Sequence, residues 1–122
     1  MNKLVLISGS SRGLGAAMAK SFSEAGYEVA INYFNSEKEA KNLSESLPSQ
    51  SHVFKCDVSN KDDVDTMLKN IKKEFGHHPS ILVNNAMTSY VFNGDDRKTA
   101  ESISWDEIQD HLNVTLKGSL NL

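Results

Sequence analysis

The segment that decides the fold runs from Leu4 to Gly15 and reads LVLISGSSRGLG. Its first half is a continuous apolar run, which is typical of a strand buried on both faces of a parallel sheet. Its second half places glycines at Gly9, Gly13 and Gly15, directly before a stretch that predicts a helix. Glycines in such a turn let backbone amides at the helix N-terminus approach a phosphate. The segment therefore predicts a dinucleotide-binding βαβ unit, although a glycine triplet can also mark only a turn.

The rest of the chain alternates short β-rich segments with longer helical ones. Strands are predicted at 4–8, 28–32, 52–56 and 81–84. The apolar faces predicted for the first three helices, which point inward, are Leu14, Met18 and Phe22 with Ala17 and Ala25; Ala40, Leu43 and Leu47; and Val64, Met67, Leu68, Ile71 and Phe75. Ile108, Leu112, Leu116 and Leu120 line one face of a last helix, without a partner in this sequence. This alternation predicts an α/β fold of the Rossmann type, a doubly wound parallel sheet with strand order 3-2-1-4. A ligand is expected where the strand order reverses, between the first and fourth strands.

Polar residues predict where three of the helices begin. Ser36 is followed by Glu39, and Ser104 by Glu107, which is the spacing of a capping box. Asn60 precedes the third helix and is expected to cap it through its side chain.

Composition and length exclude several classes of function. A chain of 122 residues holds one domain, and a net charge of −3 without a basic cluster argues against a nucleic-acid partner. The apolar run near the N-terminus is too short for a signal peptide or a membrane span, so a cytoplasmic protein with no membrane partner is expected. Cys56 is the single cysteine, which excludes an internal disulfide and favours a small buried residue over a metal ligand.

The end of the second strand bears on the choice of dinucleotide. Residues 31–36 read INYFNS, and the first acid is Glu37. NAD sites place a carboxylate here on the ribose hydroxyls, and that charge would repel the 2′-phosphate of NADP. The absence of an acid favours NADP(H). The predicted contacts from this segment are Asn32, Tyr33, Asn35 and Ser36.

Several short motifs, in order, resemble those of the short-chain dehydrogenase/reductase family over essentially the whole chain. The glycine spacing is Gly-x-x-x-Gly-x-Gly, with Ser8 where the family usually has Thr. Asp57-Val58 matches the Asp-Val that follows the third strand of the family. Asn85 and Ala86 match the second Asn and the Ala of the family's Asn-Asn-Ala-Gly run. The most similar members are those like 3-oxoacyl-acyl-carrier-protein reductase.

The resemblance implies hydride transfer between NADP(H) and a small carbonyl or alcohol substrate. It implies that Asp57 and Val58 hold the adenine and that Asn85 and Ala86 line the ribose and nicotinamide side. Arg12 stands where NADP-preferring members often carry a basic residue, and a guanidinium suits a phosphate; it can also be a solvated loop charge. The residues of the loop predicted to hold the cofactor are Gly9, Ser10, Ser11, Arg12, Gly13, Leu14 and Gly15.

Three departures from the family stand inside the chain. Met87 replaces the glycine of the Asn-Asn-Ala-Gly run. The turn before the fourth strand is one residue longer and lacks the family's acid, and its His77 and His78 are expected to be solvated rather than to bind a metal. Thr115 stands where the family has the Asn of its catalytic tetrad.

The remaining catalytic residues of the family, a Ser and a Tyr-x-x-x-Lys motif, find no match. None of Tyr27, Tyr33 and Tyr90 has a Lys four residues later. The chain is therefore expected to be the cofactor-binding front half of such an enzyme and inactive alone, with a substrate that the sequence does not identify. An unpaired fourth strand and the apolar face of the last helix predict self-association into a homo-oligomer.

Two alternatives come from other classes. One is a non-catalytic nucleotide-binding or regulatory module, which Met87 and Thr115 favour. The other is a receiver domain of two-component signalling, because Asp57 follows the third strand as a phosphoacceptor would. A receiver domain also needs an acidic pair after the first strand, where this chain has Ser8 and Gly9, so this alternative is rejected.

Overall fold

The computed structural model describes residues 3–86 and 104–122, which contain a four-stranded parallel sheet with helices on both faces. The strands are β1 (Leu4–Ile7), β2 (Glu28–Tyr33), β3 (Ser51–Lys55) and β4 (Ile81–Val83), in the order β3-β2-β1-β4. The helices are α1 (Gly13–Glu24), α2 (Glu37–Ser46), α3 (Lys61–Phe75), α4 (Trp105–His111) and α5 (Gly118–Asn121), with a π-helical segment (Leu112–Lys117) between the last two. The predicted doubly wound order is confirmed.

The central strand β1 explains why the opening apolar run is continuous. It pairs with β2 on one side and β4 on the other, with Leu6 opposite Ala30 and Leu82. Leu4 and Leu6 face the cluster built on α3, whereas Val5 and Ile7 face the cluster built on α1 and α2. Both faces are covered, so every residue of β1 is buried.

Helix α1 buries small residues, and the prediction that Leu14 faces inward is wrong. Leu14 is 70% exposed, while the buried positions are Gly15, Ala19 and Ser23. Small side chains let the helix lie close to the sheet. Met18 and Phe22 pack from its flank and are only partly buried, as are Ala16 and Tyr27 beside them. Ala17 and Ala25, predicted on the same side, are exposed as well. The buried face of α1 depends on its close approach to the sheet, which the spacing of apolar residues does not show.

The helix caps agree with the sequence at two of the three positions. Asn60 Oδ1 accepts a hydrogen bond from the Asp63 amide at 3.1 Å, and Ser104 Oγ accepts from the Glu107 amide at 3.2 Å. Ser36 precedes α2, but its side chain makes no capping hydrogen bond, so the capping box predicted there is wrong. Its backbone, with φ −99° and ψ 56°, departs from the extended conformation of the other two caps.

The last helical segment docks on the end of β3 through small and polar residues. Gly118 lies against Val58, and Asn121 Nδ2 donates to the Val58 carbonyl at 2.9 Å. Its apolar row points away from the sheet, with exposures that rise from 37% to 80% along Ile108, Leu112, Leu116 and Leu120. Within the described residues, neither this row nor the outer edge of β4 is covered by another strand or helix.

The turn before β4 contains a contact between His77 and Glu28 that the sequence did not indicate. His77 Nε2 lies 2.9 Å from Oε1 of Glu28, a nearly buried carboxylate at the start of β2, and His77 Nδ1 lies 3.2 Å from the His78 carbonyl oxygen. The hydrogen bond to Glu28 raises the pKa of His77, and the His78 carbonyl raises it further. The prediction of a merely solvated pair is therefore wrong for His77, whereas His78 is exposed.

This ion pair predicts a specific dependence of stability on pH. Because the pKa of His77 is higher in the folded chain than its ordinary value of 6.5, the stabilisation is complete below that value and is lost as the pH rises through the folded pKa. Thermal unfolding measured across this pH range should show the wild type losing stability as the pH rises. His77→Gln should not show this loss. His78→Gln should show it, and equal slopes for His77→Gln and the wild type would contradict the assignment.

Candidate cofactor-binding site

The glycine loop leaves the C-terminal end of β1 and is held from both sides by the neighbouring strands. On one side, the Gly9 amide donates to Asn32 Oδ1, at the end of β2, at 3.0 Å. On the other side, Asn85 Nδ2, just after β4, donates to the Gly9 carbonyl at 3.0 Å. The loop therefore sits at the edge of the sheet where the strand order reverses, as the sequence predicted.

The three glycines of the loop serve two different needs. Gly9 has φ +61°, and a Cβ on it would lie 2.9 Å from Ala86 Cα; a Cβ on Gly15 would lie 2.6 Å from Asn85 Nδ2. Both positions exclude a side chain by close packing. Gly13 has φ +60° but nothing within 4 Å of a Cβ, so it makes a left-handed turn that opens away from the protein, at the first residue of α1.

Ser8 joins the ends of β1 and β4. Its hydroxyl is buried, with the residue 1% exposed, and Oγ accepts hydrogen bonds from the amides of Asn85 and Ala86, both at 2.9 Å. The Ser8 amide donates to the Val83 carbonyl at 3.1 Å and continues the strand pairing. One short hydroxyl side chain thus fixes the position of the Asn-Ala pair beside the loop.

Two of the predicted cofactor residues direct their polar atoms into the protein. Ser10 Oγ donates to the Ile7 carbonyl at 2.8 Å and accepts from the Asn32 amide at 3.2 Å. The side-chain amide of Asn32 donates to the carbonyls of Phe54 and Cys56, at 3.3 and 3.2 Å. Ser10 and Asn32 therefore shape the loop from behind.

The other predicted contacts line the rim of this edge to different extents. Tyr33 is buried at the end of β2, Ser36 is half-buried and Asn35 is exposed. Arg12 is exposed immediately before α1, and its carbonyl accepts from the Ala16 amide at 3.3 Å. Leu14 and Ser11 lie on the same turn, the first exposed and the second half-buried.

The end of β3 forms a tight polar turn. Asp57 Oδ1 accepts hydrogen bonds from the Ser59 amide at 3.0 Å and the Ser59 hydroxyl at 2.6 Å. The side chain of Val58 is buried beneath α5. Burial, with smaller effects of Asp63 and Asp57, raises the pKa of Cys56 to about 12, so its thiol stays protonated and unreactive, as expected of a structural cysteine.

Comparison with known proteins identifies the family. A family profile described as Enoyl-(Acyl carrier protein) reductase matches residues 9–122. A 3-oxoacyl-acyl-carrier-protein reductase of Staphylococcus epidermidis is 32% identical over 99% of this chain and 48% of its own length. A crystal structure of a short chain dehydrogenase from Bacillus anthracis superposes with a TM-score of 0.84 at 29% identity, over 98% of this chain and 47% of that one. This chain belongs to the short-chain dehydrogenase/reductase family.

The relatives are longer proteins than this chain. The chain spans about half the length of the curated relatives it matches. A protein of Yarrowia lipolytica named "Probable NADP-dependent mannitol dehydrogenase" is 38% identical over 84 residues, 67% of this chain and 30% of its own length. The proteins that this chain resembles are thus oxidoreductases by name, and the receiver-domain alternative is excluded.

Within the short-chain dehydrogenase/reductase family, the departures noted in the sequence fall in different places. Thr115 lies in the π-helical segment and is exposed, and its carbonyl accepts from the Ser119 hydroxyl at 2.6 Å. Sequence periodicity did not predict this π-helical segment. Met87 and Tyr90 lie outside the described residues.

Two kinds of feature are absent from the described residues. None of the helices in 3–86 and 104–122 is long and apolar enough to cross a membrane. Those same ranges contain no group of three or more His, Cys, Asp or Glu side chains placed to hold a metal ion.

The contacts of Ser8 predict how substitutions there affect stability. Ser8→Ala leaves two part-buried amides, those of Asn85 and Ala86, without their acceptor, which should lower the free energy of unfolding by about 2 kcal/mol. Ser8→Thr retains the hydroxyl that the family usually has and should lose much less. Urea unfolding measures both, with Ser21→Ala on the exposed side of α1 as the control. Equal losses in Ser8→Thr and Ser8→Ala would contradict the role of the hydroxyl.

Proposed function

We propose that this chain binds NADP(H) as the cofactor-binding part of a reductase. The main support for this proposal is the glycine loop. Contacts on both sides fix its shape, and it opens at Gly13 onto the N-terminus of α1. The amides at the start of a helix lack intrahelical acceptors and bind anionic groups such as a pyrophosphate. The residues present therefore fit a dinucleotide, with Gly9, Ser10, Ser11, Gly13, Leu14 and Gly15 forming the loop that holds it.

The rest of the pocket follows from the ends of the other strands. Asp57 and the amide of Val58 would hold the adenine at the end of β3. Asn85 and Ala86 would line the ribose and nicotinamide side, where Ser8 fixes their backbone. These roles are carried over from the family, residue by residue, to positions that share one edge of the sheet.

Three observations support NADP(H) over NAD(H). The end of β2 offers Asn32 and Tyr33 where an NAD site needs a carboxylate on the ribose. Exposed Arg12 precedes α1, and its guanidinium is suited to bind a 2′-phosphate; the end of β2 adds the polar residues Asn35 and Ser36. The relative from Yarrowia lipolytica is NADP-dependent by name.

The reaction class we propose is reduction of a carbonyl group, with an acyl thioester as the substrate class. Bound NADPH supplies the hydride. The Staphylococcus epidermidis relative is named for 3-oxoacyl groups on acyl carrier protein, and a Caenorhabditis elegans relative, 29% identical, is named for a dienoyl-CoA. Because these 122 residues contain no Tyr-x-x-x-Lys motif, we expect the chain to bind NADPH without turning it over.

The preference for NADPH is tested by titration. The chain should bind NADPH about tenfold more tightly than NADH, because a charge-assisted hydrogen bond between Arg12 and a phosphate contributes about 1.5 kcal/mol or more. Arg12→Ala should remove most of this preference while leaving NADH binding almost unchanged. Isothermal titration calorimetry measures all four affinities.

Lys20→Ala is the matched control, since it removes an exposed cation from α1 further from the loop. It should leave the ratio of the two affinities at the wild-type value. Tighter binding of NADH than of NADPH would overturn the choice of cofactor, and binding of neither would overturn the proposed function. Oxidation of NADPH by the chain in the presence of acetoacetyl-CoA would overturn the expected inactivity.

We also propose that the chain self-associates through the outer edge of β4 and the apolar row of the last helices. Leu116→Glu places a charge in that row and should shift sedimentation towards the monomer, because burying an unpaired carboxylate is strongly unfavourable. Asn70→Glu, which adds the same charge on the exposed face of α3, should behave as the wild type. A wild-type chain that sediments as a monomer at every concentration would contradict the proposal.

A further inference from the structure

Asn32 is a polar side chain buried at the meeting point of two parts of the proposed site. The residue is only 2% exposed, yet its amide has partners on both sides. Oδ1 accepts from the Gly9 amide at 3.0 Å, and Nδ2 donates to the carbonyls of Phe54 and Cys56 at 3.3 and 3.2 Å. One side chain thus connects the glycine loop with the last residues before Asp57.

The backbone of Asn32 adds two more connections to the same loop. The Ser10 amide donates to the Asn32 carbonyl at 3.0 Å, and the Asn32 amide donates to Ser10 Oγ at 3.2 Å. Two consecutive residues of the loop are therefore bound to one residue of β2 by three hydrogen bonds. A displacement of Asn32 has to be transmitted to both of them.

The chemistry of these contacts selects an amide at this position. An amide presents an acceptor in one direction and two N–H donors in another, which is what one N–H and two carbonyls require. A leucine of similar size would leave the Gly9 amide without this acceptor and the carbonyls of Phe54 and Cys56 without this donor. A carboxylate would turn an acceptor towards the carbonyls of Phe54 and Cys56. Unsatisfied buried groups of this kind are costly, so the loop and the end of β3 would shift to find other partners.

We infer that Asn32 is a positioning residue for the dinucleotide, holding the pyrophosphate loop and the adenine turn in one fixed relation without touching the cofactor. This inference rests on the proposed function. It replaces the direct contact that the sequence suggested for Asn32 with an indirect role. Affinity depends on the fraction of molecules whose site is already in the binding geometry, so loosening this connection weakens binding without removing any contact.

The test compares Asn32→Ala with Ser23→Ala. Both remove a buried hydrogen-bonding side chain, but Ser23 binds Ser49 at the opposite end of the sheet from the loop. Asn32→Ala should bind NADP+ at least about tenfold more weakly than the wild type, which corresponds to loss of the binding geometry in about nine molecules of ten. It should also bind 2′-AMP several-fold more weakly, because the adenine and the 2′-phosphate of this probe are proposed to contact the adenine turn and Arg12 of the loop. Ser23→Ala should bind both as the wild type does.

A second measurement is made without any ligand. Amide hydrogen exchange followed by NMR should show faster exchange at Gly9 in Asn32→Ala, because its acceptor is gone, and unchanged exchange there in Ser23→Ala. If Asn32→Ala does not fold, Asn32→Thr takes its place. Its hydroxyl can serve only part of the three partners, so losses in the same direction are expected.

The outcomes separate this inference from the proposed function. If the wild type binds no dinucleotide, the proposed function fails, while exchange at Gly9 still decides whether Asn32 holds the loop. If the wild type binds NADP+ and the Asn32 variants bind it equally well, the positioning role is wrong. Equal losses in Ser23→Ala, or an unchanged affinity for 2′-AMP, would also overturn it.

Discussion

The constraint on which the rest of the structure depends is the close approach of the glycine loop to the polypeptide on either side of it. Gly9 packs against Ala86, and Gly15 packs against Asn85, at distances that leave no room for a Cβ. This approach brings α1 down onto the sheet. It also brings the ends of β1 and β4 together, where Ser8 can bind the two amides beyond β4.

The packing of α1 follows from the same constraint. A helix whose first turn is pressed against the loop can bury only small side chains along that line, which are Gly15, Ala19 and Ser23. Larger residues such as Phe22 contribute from the flank, where Phe22 meets the ring of Tyr27 edge to face. Leu14 is left on the open side of the turn, next to the surface where the cofactor is proposed to lie.

Much of the fold could be predicted from the sequence because its signals are local. The strand order, the Asn60 cap and the position of the glycine loop all follow from short patterns along the chain. The inward face of α1 could not be predicted, because it depends on how closely a helix approaches a sheet. The pairing of Glu28 with His77 joins residues 49 apart in the sequence, and neither has a local signal.

The candidate site likewise has features that the sequence predicts and features that it does not. Composition at the end of β2 indicated which residues are polar there, but it could not show that Asn32 and Ser10 turn inward while Asn35 is exposed. For Asn32, that distinction depends on backbone carbonyls in β3 and directly after it, which are present whatever the side chains there. Side-chain polarity alone therefore does not separate a residue that contacts a ligand from one that shapes its site.

The proposed binding of the cofactor and the proposed catalysis depend on different kinds of groups, backbone amides for the first and side chains for the second. Ser8 and Ser10 use their hydroxyls within the protein, so the proposed pyrophosphate contacts come mainly from backbone amides, whose geometry does not depend on residue identity. Replacement of the family's Thr by Ser8 is compatible with this, because the hydroxyl is retained. Thr115 is different. The tetrad Asn is a side-chain function, and Thr115 lies in a π-helical segment with no contact to the loop among the described hydrogen bonds. Under the proposed function, a departure there can alter proton transfer while leaving the proposed dinucleotide site intact, so cofactor affinity and catalytic competence can vary independently.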